Sequence, residues 1–93
     1  MPAFTVQPTP NPNSLKFAAT GRSFIESGMG AFSSAAEAEG DPIGEPIFAL
    51  PGVLNVLVLP AFVTVTKQPD ANWDAILPGV ERILNDHLER PPR

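Results

Sequence analysis

Of the side chains that carry most biological chemistry, this 93-residue chain has one histidine, no cysteine and ten carboxylates. Without cysteine there is no disulfide, no thiol nucleophile, no CxxC redox pair and no thiolate-held zinc or iron–sulfur cluster. His87 lies one turn beyond Ile83 and Leu84, beside an apolar stripe. Its acidic neighbours Asp86 and Glu89 miss the i±3 and i±4 spacings that bring helical ligands together. A partly buried edge histidine therefore fits better than a ligand or a general base. No Ser, Thr or Lys has a second histidine to activate it, no glycine-rich phosphate loop follows a strand, and no spacing points to paired carboxylates. An enzyme acting on a small molecule is the poorest class for this chain. Glu37, Glu39, Asp41 and Glu45 form an acidic cluster. A solvated face is the ordinary reading of such a run, and a cation site is the alternative.

The balance of charge excludes other partners. The net charge is −4, and the basic residues Lys16, Arg22, Lys67, Arg82, Arg90 and Arg93 are scattered, no two adjacent. Phosphate backbones are bound by clustered Lys and Arg, so nucleic acid is not expected. Met1 to Asn13 shows neither a basic n-region nor an apolar h-region. The longest apolar run, Val53 to Val63, is interrupted by Asn55 and Pro60 and is too short to span a bilayer. A cytoplasmic protein with no membrane partner is the expectation.

The elements that would position any site follow from periodicity. Ninety-three residues with 43% hydrophobic content make one small domain, punctuated by 12 prolines. Ala3 to Gln7 reads as a strand with Phe4 and Val6 on one side, and Ser14 to Ala19 as a second with Leu15 and Phe17 inward. Between them, Thr9-Pro10-Asn11-Pro12-Asn13 is a stiffened corner. Its prolines fix φ, and asparagine suits tight turns. From Thr20 to Gly40 the pattern weakens. A short third strand around Ala31-Phe32-Ser33 is one reading, and a helical turn over Ala35 to Glu39 is the other. Asp41-Pro42 predicts a helix start, with Ile43, Ile47, Phe48 and Leu50 forming its buried stripe and Pro46 keeping it short or bent. Pro51-Gly52 ends it.

Val53 to Leu59 predicts a strand with Leu54, Val56 and Val58 on one face and Val53, Leu57 and Leu59 on the other. Phe62 to Lys67 alternates, with Val63 and Val65 inward and Phe62, Thr64 and Thr66 outward. Asn72 or Asp70 then caps a last helix, whose stripe is Trp73, Ile76, Leu77, Val80, Ile83, Leu84 and Leu88. Trp73 is expected to seat that helix in the core. Pro78-Gly79 is expected to split it after Leu77, and residues 90–93 to fray. The expected fold is α+β and two-layered. An antiparallel sheet of about four strands, in the order β-β-α-β-β-α with an extra short strand near Phe32 as an option, carries two helices on one face. With helices on one face only, Lys16, Leu57, Phe62 and Thr64 share an open face, an apolar patch with a few polar donors. The alternative is that the middle segment covers it. Candidate partner-binding residues are thus Lys16, Phe62 and Thr64, with Asn11 and Asn13 at the corner either shaping the turn or touching a partner.

Four stretches, in order, carry a resemblance to a known family. Pro10-Asn11-Pro12-Asn13-Ser14-Leu15-Lys16-Phe17 looks like the start of the Nfu/NifU N-terminal domain. Ile47-Phe48-Ala49-Leu50-Pro51-Gly52-Val53 resembles its short helix running into "GV", Phe62-Val63-Thr64-Val65-Thr66-Lys67 its "FITVTK" strand, and Asn72-Trp73-Asp74 through Leu77-Pro78 its last helix. Pro46 departs from the pattern, where relatives continue the helix. The resemblance implies a single domain over 1–93, an antiparallel sheet with two helices, in proteins linked to iron–sulfur cluster assembly. Full-length members carry a second domain whose CxxC motif binds the cluster. With no cysteine here, the likeness transfers the association but not the scaffold activity. The leading expectation is a non-catalytic interaction module whose partners are iron–sulfur assembly proteins or apo-targets. Iron held by the carboxylates or His87 is the alternative, which no ligand set in the sequence supports.

Overall fold

The alternating segments become one sheet, and the periodic ones two helices. The computed structural model describes residues 4–21, 23–25 and 27–89. Along the chain the elements are β1 (Phe4–Pro8), β2 (Ser14–Ala19), β3 (Gly30–Phe32), α1 (Gly44–Phe48), β4 (Val53–Val58), β5 (Phe62–Lys67) and α2 (Trp73–Glu89). The strands lie in the order β1-β2-β5-β4-β3, and every neighbouring pair is antiparallel. The fold is α+β, as expected, and the short strand near Phe32 is the fifth and an edge. Ala3 and residues 90–93, where the first strand was expected to begin and the tail to fray, lie outside the described residues.

Apolar residues of one sheet face meet the helices. Phe4, Phe17, Val56, Val58, Val63 and Val65 are buried against Ile43 just before α1, Ile47 within it, and Ile76, Val80, Leu84 and Leu88 of α2. Phe4 and Phe17 pack edge-on, with centroids 5.9 Å apart. Val6 shares their face by alternation but stays 38% exposed, because β1 is an edge strand that the helical layer covers only in part. The shortest dimension of the molecule is 20 Å, the depth of two layers and not three.

Three expectations need correction. In β4, Leu54 does not join Val56 and Val58. Val53 pairs with Lys67 and Asn55 with Thr66, so Leu54 is an extra residue that inverts the alternation. Leu54 is 42% exposed, whereas Val53 packs on the core. Second, α2 is one continuous helix from Trp73 to Glu89, with Pro78 inside it. Pro78 is exposed and lies in the second turn, so the one backbone bond it deletes is at Asp74, whose carbonyl lies on an exposed turn open to water. Asn72 is the cap: its Oδ1 accepts from Asp74 N at 2.9 Å, and Ala75 N donates to its carbonyl at 3.0 Å. Third, Trp73 is only half-buried and stands at the rim of the core.

Helix α1 is short, as Pro46 requires. The turn leading into it is closed by Asp41, whose Oδ1 accepts from Ile43 N at 2.9 Å and Gly44 N at 2.7 Å, so the helix begins at Gly44, two residues after the expected Pro42. Gly52, which turns the chain into β4, has φ +84°, and a Cβ there would lie 2.5 Å from Ala71 Cβ. The middle segment holds both structures considered for it. After β3, Ser34 and Glu37 cap a helical turn, with Glu37 N donating to Ser34 Oγ at 3.2 Å and Ser33 N to Glu37 Oε1 at 2.7 Å.

Candidate functional site

Among the described residues, none covers the sheet face away from the helices. Registers place Gln7, Lys16, Thr64, Leu57 and Ala31 in one row across all five strands. Beside it run Thr5, Ala18 and Phe62, and on the other flank Ser14, Thr66 and Asn55. Lys16, Leu57, Phe62, Thr64 and Thr66 are each half-buried, the condition of side chains that neighbours flank but nothing caps. The middle segment does not cover them. It extends the sheet edge as β3, and its buried residues Phe24 and Ala38 lie away from this face: Phe24 belongs to the main core, and Ala38 stands against Gly44 of α1.

Lys16 and Thr64 are direct cross-strand partners, and Lys16 Nζ stands 4.5 Å from the centre of the Phe62 ring. The ring holds the ammonium over the face by its quadrupole instead of leaving it free in solvent. Ser14 Oγ and Thr66 Oγ1 are 2.7 Å apart and complete a polar margin with Asn55. The structure therefore brings Lys16, Phe62 and Thr64 together with Leu57. The Ser14–Thr66 pair escaped sequence reasoning, although the outward alternation of both strands signals it.

Asn11 and Asn13 lie elsewhere, at the β1–β2 corner, and their side chains build the turn. Asn11 Oδ1 accepts from Asn13 N at 2.9 Å, and Ser14 N donates to Asn11 O at 3.0 Å. Thr9 Oγ1 lies 2.8 Å from Asn11 O and accepts from Asn11 N at 3.1 Å. Asn13 Oδ1 accepts from Lys67 Nζ at 3.0 Å, and Lys67 N donates to Asn13 O at 2.8 Å. Lys67 is buried at 7% exposure, its Nζ also bonded to Gln68 O at 3.3 Å and 5.9 Å from the Trp73 ring centre. Trp73 Nε1 donates to Pro12 O at 3.3 Å. Trp73 thus fastens the helix start to the corner. Inward alternation of Phe62 to Lys67 was the signal that Lys67 points to the core side.

The remaining polar candidates are occupied locally. His87 Nε2 donates to Phe24 O at 2.6 Å, tying the end of α2 to the middle segment. Within the acidic cluster, Glu37 and Asp41 cap turns, and Glu45 Oε2 accepts from Gly40 N at 3.2 Å. Among the described residues, no group of three or more His, Cys, Asp or Glu is placed to hold a metal ion. No helix among them is long and apolar enough to cross a membrane.

Comparison with known proteins gives this geometry a family. The profile described as "Scaffold protein Nfu/NifU N terminal" matches residues 4–91. NifU-like protein 5, mitochondrial, of Arabidopsis thaliana is 39% identical over 80 residues, covering 86% of this chain and 29% of that protein. NFU1 iron-sulfur cluster scaffold homolog, mitochondrial, of Homo sapiens is 36% identical over 81 residues, covering 86% of this chain and 32% of that protein. This chain thus spans about a third of their length. A Staphylococcus aureus protein solved by NMR superposes with a TM-score of 0.69 at 26% identity, over 100% of this chain and 98% of that one. A NifU-like protein of Saccharomyces cerevisiae shares the fold with a TM-score of 0.70 at 24% identity, over 89% of this chain and 75% of that one. The cytoplasmic expectation does not stand, because the curated relatives are mitochondrial proteins. It rested on the lack of a secretory pattern, which says nothing about other destinations. By profile, sequence and fold, the chain belongs to the Nfu/NifU N-terminal family.

Proposed function

We propose that this chain is a non-catalytic protein-interaction module serving iron–sulfur cluster assembly, and that it meets its partner through the uncovered sheet face. One observation carries the reading. The face places an apolar centre of Leu57, Phe62 and Ala18 beside the polar Lys16, Thr64 and Thr66, on a two-layer fold with none of the described residues above it. An apolar centre with a polar margin on rigid strands is the anatomy of a protein-binding patch. The pathway comes from the relatives, which are named as iron–sulfur cluster scaffold proteins. The capping roles of Glu37, Asp41 and Glu45 leave iron binding by the acidic cluster without a supporting observation.

Site-specific photo-crosslinking tests the proposal. A benzophenone side chain at position 64 is expected to capture iron–sulfur assembly proteins or apo-targets in cells, while one at position 74 on the helical side does not. Phe62→Ala is expected to weaken the captured complex about tenfold or more, the effect of losing an aromatic anchor. Capture of unrelated proteins at position 64, or an unchanged complex with Phe62→Ala, would sink the reading.

A further inference from the structure

Charge is distributed unevenly over this molecule. Among the described residues, no carboxylate lies in a strand. Glu37, Glu39, Asp41 and Glu45 flank α1, and Asp70, Asp74, Glu81 and Asp86 lie on or just before α2. The strands hold two charges, Lys16 and Lys67, and Lys67 is buried on the core side. Among the described strand residues, the uncovered face of a chain with net charge −4 therefore bears a single charge, and it is positive. Phe62 keeps that ammonium 4.5 Å above its ring, at the middle of the apolar centre.

We infer that this face recognises an apolar segment bearing a carboxylate, which seats its apolar side on Leu57 and Phe62 and its acid on Lys16. The inference deepens the proposed function and rests on it for the identity of the face. A basic segment would be drawn to the acidic helical side and repelled by Lys16. A neutral one would gain nothing from the ammonium. An acidic one finds on this face an ammonium with no carboxylate among the described strand residues, whereas on the helical side the exposed Arg82 stands among Asp74, Glu81 and Asp86. Partial desolvation by the ring and the neighbouring strands keeps this contact from being fully screened. Thr64, directly across from Lys16, and Thr66, on the flank opposite Phe62, offer hydroxyls beside the charge. Four strand spacings separate Gln7 from Ala31, roughly 19 Å at about 4.8 Å each. A helix of roughly twelve residues spans that width.

The experiment is an NMR titration of the uniformly labelled protein with three capped twelve-residue peptides. They share a leucine stripe and carry aspartate, asparagine or lysine at the intervening positions. The aspartate peptide is expected to shift the amides of Lys16, Leu57, Phe62 and Thr64 and to bind roughly threefold to fivefold tighter than the asparagine peptide, the size of one partly exposed charge pair. The lysine peptide is expected to bind weakest. Lys16→Met should erase the advantage of the aspartate peptide, Lys16→Arg should keep it, and added salt should shrink it. Equal binding of the three peptides, absence of binding, or shifts confined to the helical side overturns the inference. So does movement of the face resonances on dilution alone, which would assign the face to a second copy of the chain. Failure here with iron–sulfur proteins still captured at position 64 removes only the acidic recognition. Success here with unrelated proteins captured removes only the pathway.

Discussion

Lys67 is the residue whose position is least expected from its type. An ammonium at 7% exposure has only neutral partners here, Asn13 Oδ1 at 3.0 Å and Gln68 O at 3.3 Å, with the Trp73 ring beside it. Asn13, in contrast, is half-exposed and its oxygen can turn to water. Removing one partner of a buried charged hydrogen bond costs most where the charge is the group left behind. Asn13→Ala is therefore expected to destabilise the fold by about 2 kcal/mol, more than Lys67→Met, which removes the charge along with the bond. Urea denaturation of both variants and their double mutant checks this. Additive losses in the double mutant would mean that the 3.0 Å contact does not couple the two residues, and a loss for Lys67→Met as large as for Asn13→Ala would mean that no buried charge is stranded. The same network explains why Asn11 and Asn13 shape the corner. Their side-chain oxygens are already taken by Asn13 N and Lys67 Nζ.

Among the elements, α2 carries an interruption that its sequence advertises and its structure absorbs. Pro78 deletes one bond in the second turn, on the exposed side, while Ile76, Val80 and Leu84 stay fully buried around it. Tertiary packing of the stripe exceeds the local penalty, since each buried aliphatic side chain contributes about 1.5–3 kcal/mol and the proline costs about 3 kcal/mol once. Pro78→Ala is expected to raise stability by about 1–2 kcal/mol, the restored bond and propensity being partly offset by the freer unfolded chain. A higher midpoint in thermal melting is the readout, and an unchanged or lower one would show that the proline sets the helix direction. The bulge in β4 is the second such compromise. One extra residue, Leu54, lets Val53 reach the core side and still leaves Asn55 and Leu57 on the open face.

At the scale of the whole molecule, the stretch between β2 and β3 is tied down at Phe24. Phe24 is buried, its N donates to Pro60 O at 2.8 Å, and its carbonyl accepts from His87 Nε2 at 2.6 Å. This histidine joins the end of α2 to a segment that is otherwise mostly exposed. His87→Ala should cost about 1 kcal/mol globally, with a larger local effect: amide exchange speeds up at residues 23–25 and 27–38 while β2 and β5 keep their protection. Uniform acceleration across the sheet would mean that the segment opens only with the whole domain. The two-layer build bears on the proposed function as well. Helices on one face leave the other to Lys16, Phe62, Thr64 and Leu57, so the same topology that closes the core presents the patch.

Much of this molecule was determined by the sequence alone. Alternation over Ser14 to Ala19 and Phe62 to Lys67 decided those strands and their inward residues, because period-two patterning leaves one way to bury Phe17, Val63 and Val65. The stripe from Ile76 to Leu88 decided α2, and the turn at Asp41-Pro42 and the stop at Pro51-Gly52 bounded a short α1. The outward Lys16, Phe62 and Thr64 followed from the same parity. What only the tertiary structure decided lies where long-range contacts outweigh local signals. Packing carried α2 through Pro78, a bulge moved Leu54 out of the core, and an edge position made a strand of Gly30–Phe32. Contacts between residues more than fifty positions apart made Lys67 the anchor of the Asn13 corner, moved Trp73 to the rim of the core and joined His87 to Phe24. Such pairings depend on register and layer order, which no local window of sequence contains.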